Sequence, residues 1–382
     1  MNDEVKIDGS YGEGGGQIIR TSLSLSALTG KPVTIDNVRA RRSRPGLQPQ
    51  HLTAVQAAAR ICNAALDGAE VGSKRFTFRP SSPVQPGRYA FDIGTAGATS
   101  LVMQTVMIPL ALAGTANGPA DSTALAGTAN GRADSTALSG GASQVTIGGG
   151  THVSHAPTAH YLEHVYAEVM RAQGLGSTLS IPAAGFFPRG GGKIETSIEP
   201  STLAPVDLVE RGRLRQLTAY IVTSELPEKV AERGAATASK ALGGFKKPAV
   251  VPVDLPSRGP GASVVVIAEC DNVRAGFSSI GERGKPMETV TLEACDQFAE
   301  WYRSGAACDE HLADQLVLPA ALAMGESRWS TSAVTEHLRT VLWLTRHFLP
   351  GVETHLEERA DGTGFVRISS PTAKAGGWGS CG

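Results

Sequence analysis

The stretch Asp8-Gly-Ser-Tyr-Gly-Glu-Gly-Gly-Gly-Gln-Ile-Ile-Arg20 limits what this chain can fold into more than any other. Five glycines surround Glu13 and run straight into apolar residues at helical spacing, with Arg20 in the first turns. Glycine lets a backbone approach a ligand and take positive φ without penalty, and the unpaired N–H groups of a helix start favour an anion. The pattern is neither the P-loop nor the dinucleotide-binding fingerprint, so neither of those nucleotide sites is implied. A ligand-binding loop and a plain tight turn both remain open at this point.

Read in order, the chain repeats a loop, helix, strand theme. Helical spacing from Ile18 to Leu28, with Gly30 placed to cap it, is followed by the strand-like Pro32-Val-Thr-Ile-Asp36. An alanine-rich helix is expected over Leu52 to Ala65, then alternating strands at Phe76–Arg79 and Arg88–Ile93, which together give a βαβαββ-like order. Gly94-Thr-Ala-Gly-Ala-Thr-Ser100 leads into an apolar helix, Leu101 to Leu112, that carries Gln104. Residues 111–136 are a near-perfect tandem duplication, expected to be a surface loop without function.

A helix is expected from Tyr161 to Arg171, and Gly185-Phe-Phe-Pro-Arg-Gly-Gly-Gly-Lys-Ile-Glu195 reads as a junction before an alternating strand. Between 197 and 271 the pattern becomes strand, alanine-rich helix, strand, strand. A small inserted α/β unit is therefore expected, delimited at 186–279 between the two parts, 1–185 and 280–382, of a larger unit. Helices are expected again from Met287 to Ser304, over His311 to Ala323, and up to Phe348.

With 41% apolar residues the chain can build sizeable cores. It holds no apolar run of membrane-spanning length, and Met-Asn-Asp-Glu has neither the basic nor the apolar region of a signal peptide, so a cytoplasmic protein with no membrane partner is expected. Five dispersed cysteines with no Cys-x-x-Cys pair support neither a disulfide framework nor a zinc knuckle. A net charge of −1 argues against a surface coated in basic groups for bulk nucleic-acid binding. Locally, Arg39, Arg41, Arg42 and Arg44 fall between Asn37 and His51 with no acid among them. Such a loop is either simply solvated or, since arginine suits bidentate phosphate contact, an anion site. His152, His155, His160 and His164 cluster before and within a helix; His160 and His164 have an i, i+4 spacing that zinc uses, but no acid completes the motif, so satisfied or substrate-facing histidines stand beside a metal site.

Taken together, these segments resemble the RNA 3′-terminal phosphate cyclase family along nearly the whole chain. The resemblance is carried by Asp8 to Arg20, by Arg39 to His51 with its Arg-Pro-Gly-Leu-Gln-Pro-Gln-His ending, and by Gly94-Thr-Ala-Gly97 and Gly149-Gly-Thr-His152. Phe187-Pro-Arg-Gly-Gly-Gly192, Leu312-Ala-Asp-Gln-Leu316 and Val334-Thr-Glu-His337 complete it. It implies an α/β (α+β) fold of repeated βαβαββ units like the C-terminal domain of translation initiation factor three, with a smaller inserted α/β domain. It also implies ATP-dependent conversion of an RNA 3′-phosphate to a 2′,3′-cyclic phosphodiester through a covalent histidine–AMP.

By the same resemblance His337 matches the nucleophile, and Glu13 the carboxylate that helps hold a divalent cation, magnesium or manganese, on the ATP phosphates. Arg20, Arg39 and Arg42 match phosphate-binding arginines. Gln50, His51, Gln104, His311, Asp314 and Gln315 match positions lining the ATP pocket, and Pro157 a residue packing on the adenine. Three features depart from the pattern: Ala184 where the family usually has arginine or histidine, His311 where some members have tyrosine, and the duplicated 111–136 segment. Two other readings are a non-catalytic relative that binds RNA or a ribosome-assembly partner, and a histidine-rich metal hydrolase; His337, Glu13 and the arginines together speak against the former.

Overall fold

The computed structural model describes residues 4–113 and 141–371. Its first four strands and two helices run β1 (Val5–Asp8), α1 (Gly16–Thr29), β2 (Val33–Asp36), α2 (Pro49–Cys62), β3 (Ala65–Asp67) and β4 (Phe76–Arg79). They form a sheet ordered β1-β2-β4-β3, in which β1 and β2 are parallel and the remaining pairs antiparallel. A βαβαββ unit is thus present, but it closes on β3 and β4; the Arg88–Ile93 strand expected to complete it belongs to the next sheet.

The same topology occurs twice more. The second unit is β5 (Arg88–Asp92), α3 (Thr99–Leu112), β6 (Ser143–Gly149), a second helical segment, β7 (Ser177–Ala183) and β8 (Gly192–Ile198), with sheet order β5-β6-β8-β7. That helical segment comprises α4 (Ala159–Tyr161), a π-turn over Leu162–Tyr166 and α5 (Ala167–Ala172). The third unit opens on β9 (Asp207–Leu208), and a fourth sheet then intervenes before it resumes. Its elements are β10 (Leu214–Ser224), α6 (Glu228–Leu242), β11 (Ala249–Asp254), β12 (Gly261–Cys270), β13 (Arg274–Ile280) and α7 (Met287–Ser304). The third unit continues with α8 (Glu310–Gln315), α9 (Val317–Leu322), β14 (Gly325–Thr331), α10 (Glu336–Phe348), β15 (Glu353–Glu358) and β16 (Gly364–Ser370). Its sheet is ordered β15-β16-β14-β9, with β9 parallel to β14.

Pairing and packing across the expected 186–279 division are specific. β8 pairs with β6 and β7 of the second sheet, and α7 packs on α6, β12 and β13. β12 shows how the fourth sheet is held: Val264 and Val266 enter a core shared with Phe298 and Trp301, while Val265 and Ile267 enter the main core. Side chains alternate across a strand, so one apolar strand serves two cores.

Helix boundaries differ from the sequence expectation where local capping decides them. α2 begins three residues before Leu52 because Pro49 suits a first helical turn and Gln48 and His51 cap each other reciprocally; it ends at Cys62 because Asn63 takes φ +48°. The stretch His311–Ala323 is two helices rather than one. β1, β3, β6, β7, β9 and β13 to β16 carry no strand expectation; β13 is Arg-Ala-Gly-Phe-Ser-Ser-Ile, too poor in branched side chains to announce itself. The duplicated segment lies outside the described residues from 114 on. Cys62, Cys270, Cys295 and Cys308 are free thiols, and among the described residues no helix is long and apolar enough to cross a membrane.

α1 is the central helix. It packs on α2, α3 and α10, and Ile18 through Ala27 are all buried. An all-round buried helix must satisfy the polar groups it brings in. Ser24 does so in a way that locks two helices: Pro109 inside α3 has no N–H for the carbonyl of Thr105, and Ser24 Oγ donates to that carbonyl at 2.8 Å. Ser24→Ala should therefore cost about 1–3 kcal/mol by leaving a buried carbonyl unpaired. Adding Pro109→Ala should recover part of that loss in urea unfolding, because α3 regains its own N–H donor; a double variant no more stable than Ser24→Ala would refute the explanation.

Candidate active site

The glycine-rich loop is clamped between α10 and the arginine loop. Tyr11 stacks on Trp343 of α10, ring centroids 3.9 Å apart and planes 12° off parallel. Gly12, at φ +55°, lies so close to α10 that a Cβ would sit 2.6 Å from Thr340 Oγ1, and its carbonyl accepts from Arg41 Nη1 at 2.9 Å. Glycine is needed there both for the left-handed backbone and for the approach. The clamp carries Glu13 to the start of α10, where Thr335 caps the helix and His337 stands in the first turn. Glu13 reaches His337 Nε2 with one oxygen and Arg42 Nη2 with the other. The second ring nitrogen, Nδ1, is 3.7 Å from Asp314 Oδ2.

Behind this pair sits a buried cation. Arg20 is 8% exposed, and its Nη2 donates to Gln17 Oε1 at 2.6 Å. Burial lowers its pKa to about 10 against the pull of Asp314 and Glu13. Asp314 is lifted to about 8, chiefly by burial, with Arg20 opposing and Asp309, Glu310 and Glu13 adding to the rise. His337 is held below its ordinary value by burial above all; Glu13 pulls upward, Arg20 and His311 downward. A neutral imidazole at neutral pH follows, and a neutral imidazole is a nucleophile.

His51 is also neutral, pushed to about 3 by burial and by Arg20 and Arg39. Its Nδ1 accepts from the Gln48 backbone at 3.1 Å, which leaves Nε2 as the N–H donor. That Nε2 points at Gly16: a Cβ on Gly16 would lie 2.5 Å from it and 2.8 Å from Arg20 Nη1, and a Cβ on Gly15 2.9 Å from Arg42 Nη2. Gly15 caps the fourteen-residue α1 with no side-chain hydrogen bond, so the first N–H groups of α1 open onto the same cradle. Two arginines, a histidine N–H and a helix start facing one glycine floor suit a polyphosphate.

The remaining expected residues take graded places. Gln104 and Gln315 line a 40 Å³ cavity beside Arg20, Asp314 and Tyr166, and Gln104 Nε2 and Gln315 Oε1 are buried without a hydrogen-bond partner. A buried donor and acceptor without partners are groups that a bound ligand or water would satisfy. Arg39 spends Nη1 on the carbonyls of Arg44 and Gly46, stiffening the arginine loop. His311 is half exposed and meets Tyr161 edge-on at 5.9 Å. Gln50 and Pro157 stand on the flank: Gln50 Oε1 accepts from Ala98 N at 3.1 Å, and the Pro157 carbonyl accepts from Ser100 Oγ at 2.6 Å, so both tie into the start of α3.

For a divalent cation, Glu13 is one carboxylate at the edge of the phosphate-like cradle. Among the described residues no group of three His, Cys, Asp or Glu side chains is arranged to hold a metal ion. That donor set fits an ion such as magnesium arriving on phosphates and taking one protein carboxylate, and does not fit a preformed protein cage. The histidine cluster is structural. His152 Nε2 and His160 Nδ1 are hydrogen-bonded at 2.8 Å, Thr151 Oγ1 meets His152 Nδ1 at 2.8 Å, and burial drives His152 to about 3 and His160 well below its usual range. His164 stacks on Tyr220, ring centroids 4.5 Å apart.

Sequence reasoning missed Tyr11 with Trp343, Tyr166, and above all Asp309. Asp309 is buried, caps α8 by accepting from the backbone of His311 and Leu312, and takes the Tyr161 hydroxyl at 2.8 Å and Gly276 N at 3.1 Å. It thereby fixes the helix that delivers His311, Asp314 and Gln315. Its signal was readable as an aspartate directly before an apolar helical run.

A protein-family model described as RNA 3′-terminal phosphate cyclase matches residues 11–354. Proteins of that name are similar over most of the chain. The one from Nostoc punctiforme is 43% identical over 344 residues, 88% of this chain and 91% of its own length. That of Methylococcus capsulatus is 41% identical over 374 residues, 95% and 96% of the two chains. That of Pyrobaculum neutrophilum is 43% identical over 351 residues, 91% and 93%.

Gly16→Ala separates a cradle from an ordinary helix start. Helix propensity alone would make alanine more stable by up to about 1 kcal/mol. The crowding by His51 and Arg20 predicts the opposite sign, a loss of about 1–3 kcal/mol in urea unfolding, and a stabilised variant would contradict the geometry.

Proposed function

The chain belongs to the RNA 3′-terminal phosphate cyclase family, and we propose that it uses ATP to convert an RNA 3′-phosphate into a 2′,3′-cyclic phosphodiester, with His337 as the nucleophile. The observation that carries this reading is the position of His337, with Glu13 at Nε2 and Asp314 Oδ2 3.7 Å from Nδ1, at the lip of a cradle built from Arg20, Arg42, His51 and the start of α1.

A phosphate monoester is a poor electrophile toward its own neighbouring hydroxyl, so the 3′-phosphate has to be given a leaving group. The imidazole lone pair of His337 attacks the α-phosphorus of ATP; a P–N bond forms and the P–O bond to pyrophosphate breaks. The carboxyl left beside the other ring nitrogen holds the N–H of the imidazolium so formed, as a positioned acid or base does. An oxygen of the RNA 3′-phosphate then attacks the same phosphorus and releases His337, giving an RNA-adenylate. Finally the 2′-oxygen attacks the 3′-phosphorus, AMP departs, and the hydroxyl proton passes to solvent or to a neighbouring base.

Each residue has a physical task in this sequence. Arg20, buried and kept charged, and Arg42 stabilise phosphate charge as it moves onto pyrophosphate. His51 donates Nε2–H. Arg39 holds the loop that presents Arg42. Gln104 and Gln315 offer their open donor and acceptor to ATP, and Asp314, Gln50, His311 and Pro157 complete the pocket wall. Magnesium or manganese would neutralise charge on the phosphates, with Glu13 as its protein ligand. Glu13 is engaged by Arg42 and His337, so metal binding would have to redirect it.

Incubation with magnesium and ATP labelled at the α-phosphate should leave acid-labile label on the protein without any RNA. His337→Ala should take up none; equal labelling of that variant, or none of the wild type, would remove the histidine from the mechanism. Glu13→Ala should slow labelling chiefly at limiting metal, by about 10²-fold or more if the carboxylate is a true ligand. A metal dependence identical to that of the wild type would take Glu13 out of the metal role.

A further inference from the structure

The connection between β7 and β8 contains two adjacent phenylalanines with opposite fates. Phe186 is buried, stacks on His152 at 5.4 Å, and lies so close to Gly261 that a Cβ there would be 2.2 Å from its ring. Phe187 is 81% exposed. Because Phe186 and the Gly185–Thr151–His152–His160 hydrogen-bond chain anchor the loop from beneath, Phe187 is held out on a rigid base rather than on a slack one.

Two arginines flank it. Arg189 Nη1 donates to the carbonyl of Arg258 at 2.8 Å. The stem of Arg258 lies across Gly191, and that of Arg189 across Gly259, at distances no Cβ would allow. The loop after β7 and the loop before β12 therefore interlock through two glycines, and both arginines remain exposed. The nearby Lys193 is paired with Glu195.

This rim is continuous with the active site. A Cβ on Gly190 would sit 2.7 Å from the Thr95 carbonyl, so the loop rests on residues 95–96. Gly97 presses on Gln50, and Ala98 N donates to Gln50 Oε1. Gln50 adjoins His51, which stands over Gly16 and Arg20. An exposed aromatic ring and two guanidinium groups on one edge, a few contacts from a phosphate cradle, match what single-stranded RNA needs: a face for base stacking and charge for the backbone. The net charge of −1 gives no general attraction for RNA, so affinity has to be local.

We propose that Phe187, Arg189 and Arg258 form the platform that binds the nucleotides upstream of the RNA 3′-phosphate, Phe187 stacking on a base and the arginines contacting backbone phosphates. This rests on the reading of the chain as an RNA 3′-phosphate cyclase, and the test is built to separate the two. Binding of a short 3′-phosphorylated single-stranded RNA is measured by fluorescence anisotropy without ATP, beside protein labelling from ATP without RNA. Phe187→Ala should raise the Kd about five-fold or more, Phe187→Tyr should restore it, and Arg189→Ala with Arg258→Ala should flatten the salt dependence by about 0.7 per lost phosphate contact. Labelling from ATP should equal wild type in all of them, and the KM for a nucleoside 3′-phosphate, which has no upstream base, should not move. RNA affinity unchanged in Phe187→Ala, or loss of affinity that extends equally to the nucleoside 3′-phosphate, overturns the platform. Absence of labelling in the wild type overturns the functional reading, while the anisotropy result still decides the platform.

Discussion

The seating of the glycine-rich loop on α10 is the constraint on which the rest of the site depends. Glu13 and His337 are separated by more of the chain than most domains contain, and neither defines a site alone. The Tyr11–Trp343 stack and the contact of Gly12 with Thr340 bring them together. An offset-stacked aromatic pair contributes roughly 0.5–1.5 kcal/mol beyond area burial, modest by itself but applied where it fixes the position of a carboxylate. The first and third βαβαββ units are joined at that point, through α1 and α10.

Burial then does the electrostatic work. In water Arg20, Asp314, His51 and His337 would all titrate near their ordinary values. Inside, the cost of desolvation moves Arg20 and both histidines down and Asp314 up. The direction is the same in every case, toward the neutral form, and only Arg20 begins far enough from neutral pH to stay charged. The result is one buried cation among groups that are largely neutral or shared, so an incoming polyanion meets uncompensated positive charge in a low-dielectric setting. Electrostatic preorganisation of this kind is where catalysis gains most.

Much of this was legible in the sequence, and the limits have physical causes. The opening loop, Gly30 as a cap and the helices α1, α3, α6, α7 and α10 follow from local pattern, because glycine, proline and apolar spacing act over a few residues. The roles of distant groups did not follow from pattern; they entered through resemblance to a family. Asp309 was missed although its capping signal is local, since its importance lies in Tyr161 and Gly276, contacts that no window of sequence contains. For the histidine cluster the sequence leaves a metal site and satisfied histidines both open: His160 and His164 have a spacing that zinc uses, yet His160 is hydrogen-bonded to His152, which Thr151 also holds, and His164 stacks on Tyr220. Gln104 and Gln315 illustrate a third case, residues whose significance lies in the hydrogen bonds they lack.

The repetition of one topology three times bears on why the site lies where it does. Each unit carries two helical segments, the first of the third unit being split into α8 and α9, yet Glu13, Arg20, Asp314 and His337 come from the first and third units, and the second supplies Gln104 from α3 and the flank near Gln50 and Pro157. The asymmetry follows from α1. It is buried on all sides because α2, α3 and α10 surround it, so the groups at its N-terminus are the ones that can be desolvated and still meet a second helix start. The fourth sheet enters between β9 and α8, inside a crossover whose two strands, β9 and β14, still pair in parallel. An insertion there leaves the third unit's register intact, and it brings residues 255–260 against the loop that carries Phe187. The sheet added to the fold is thus also the one that completes the rim.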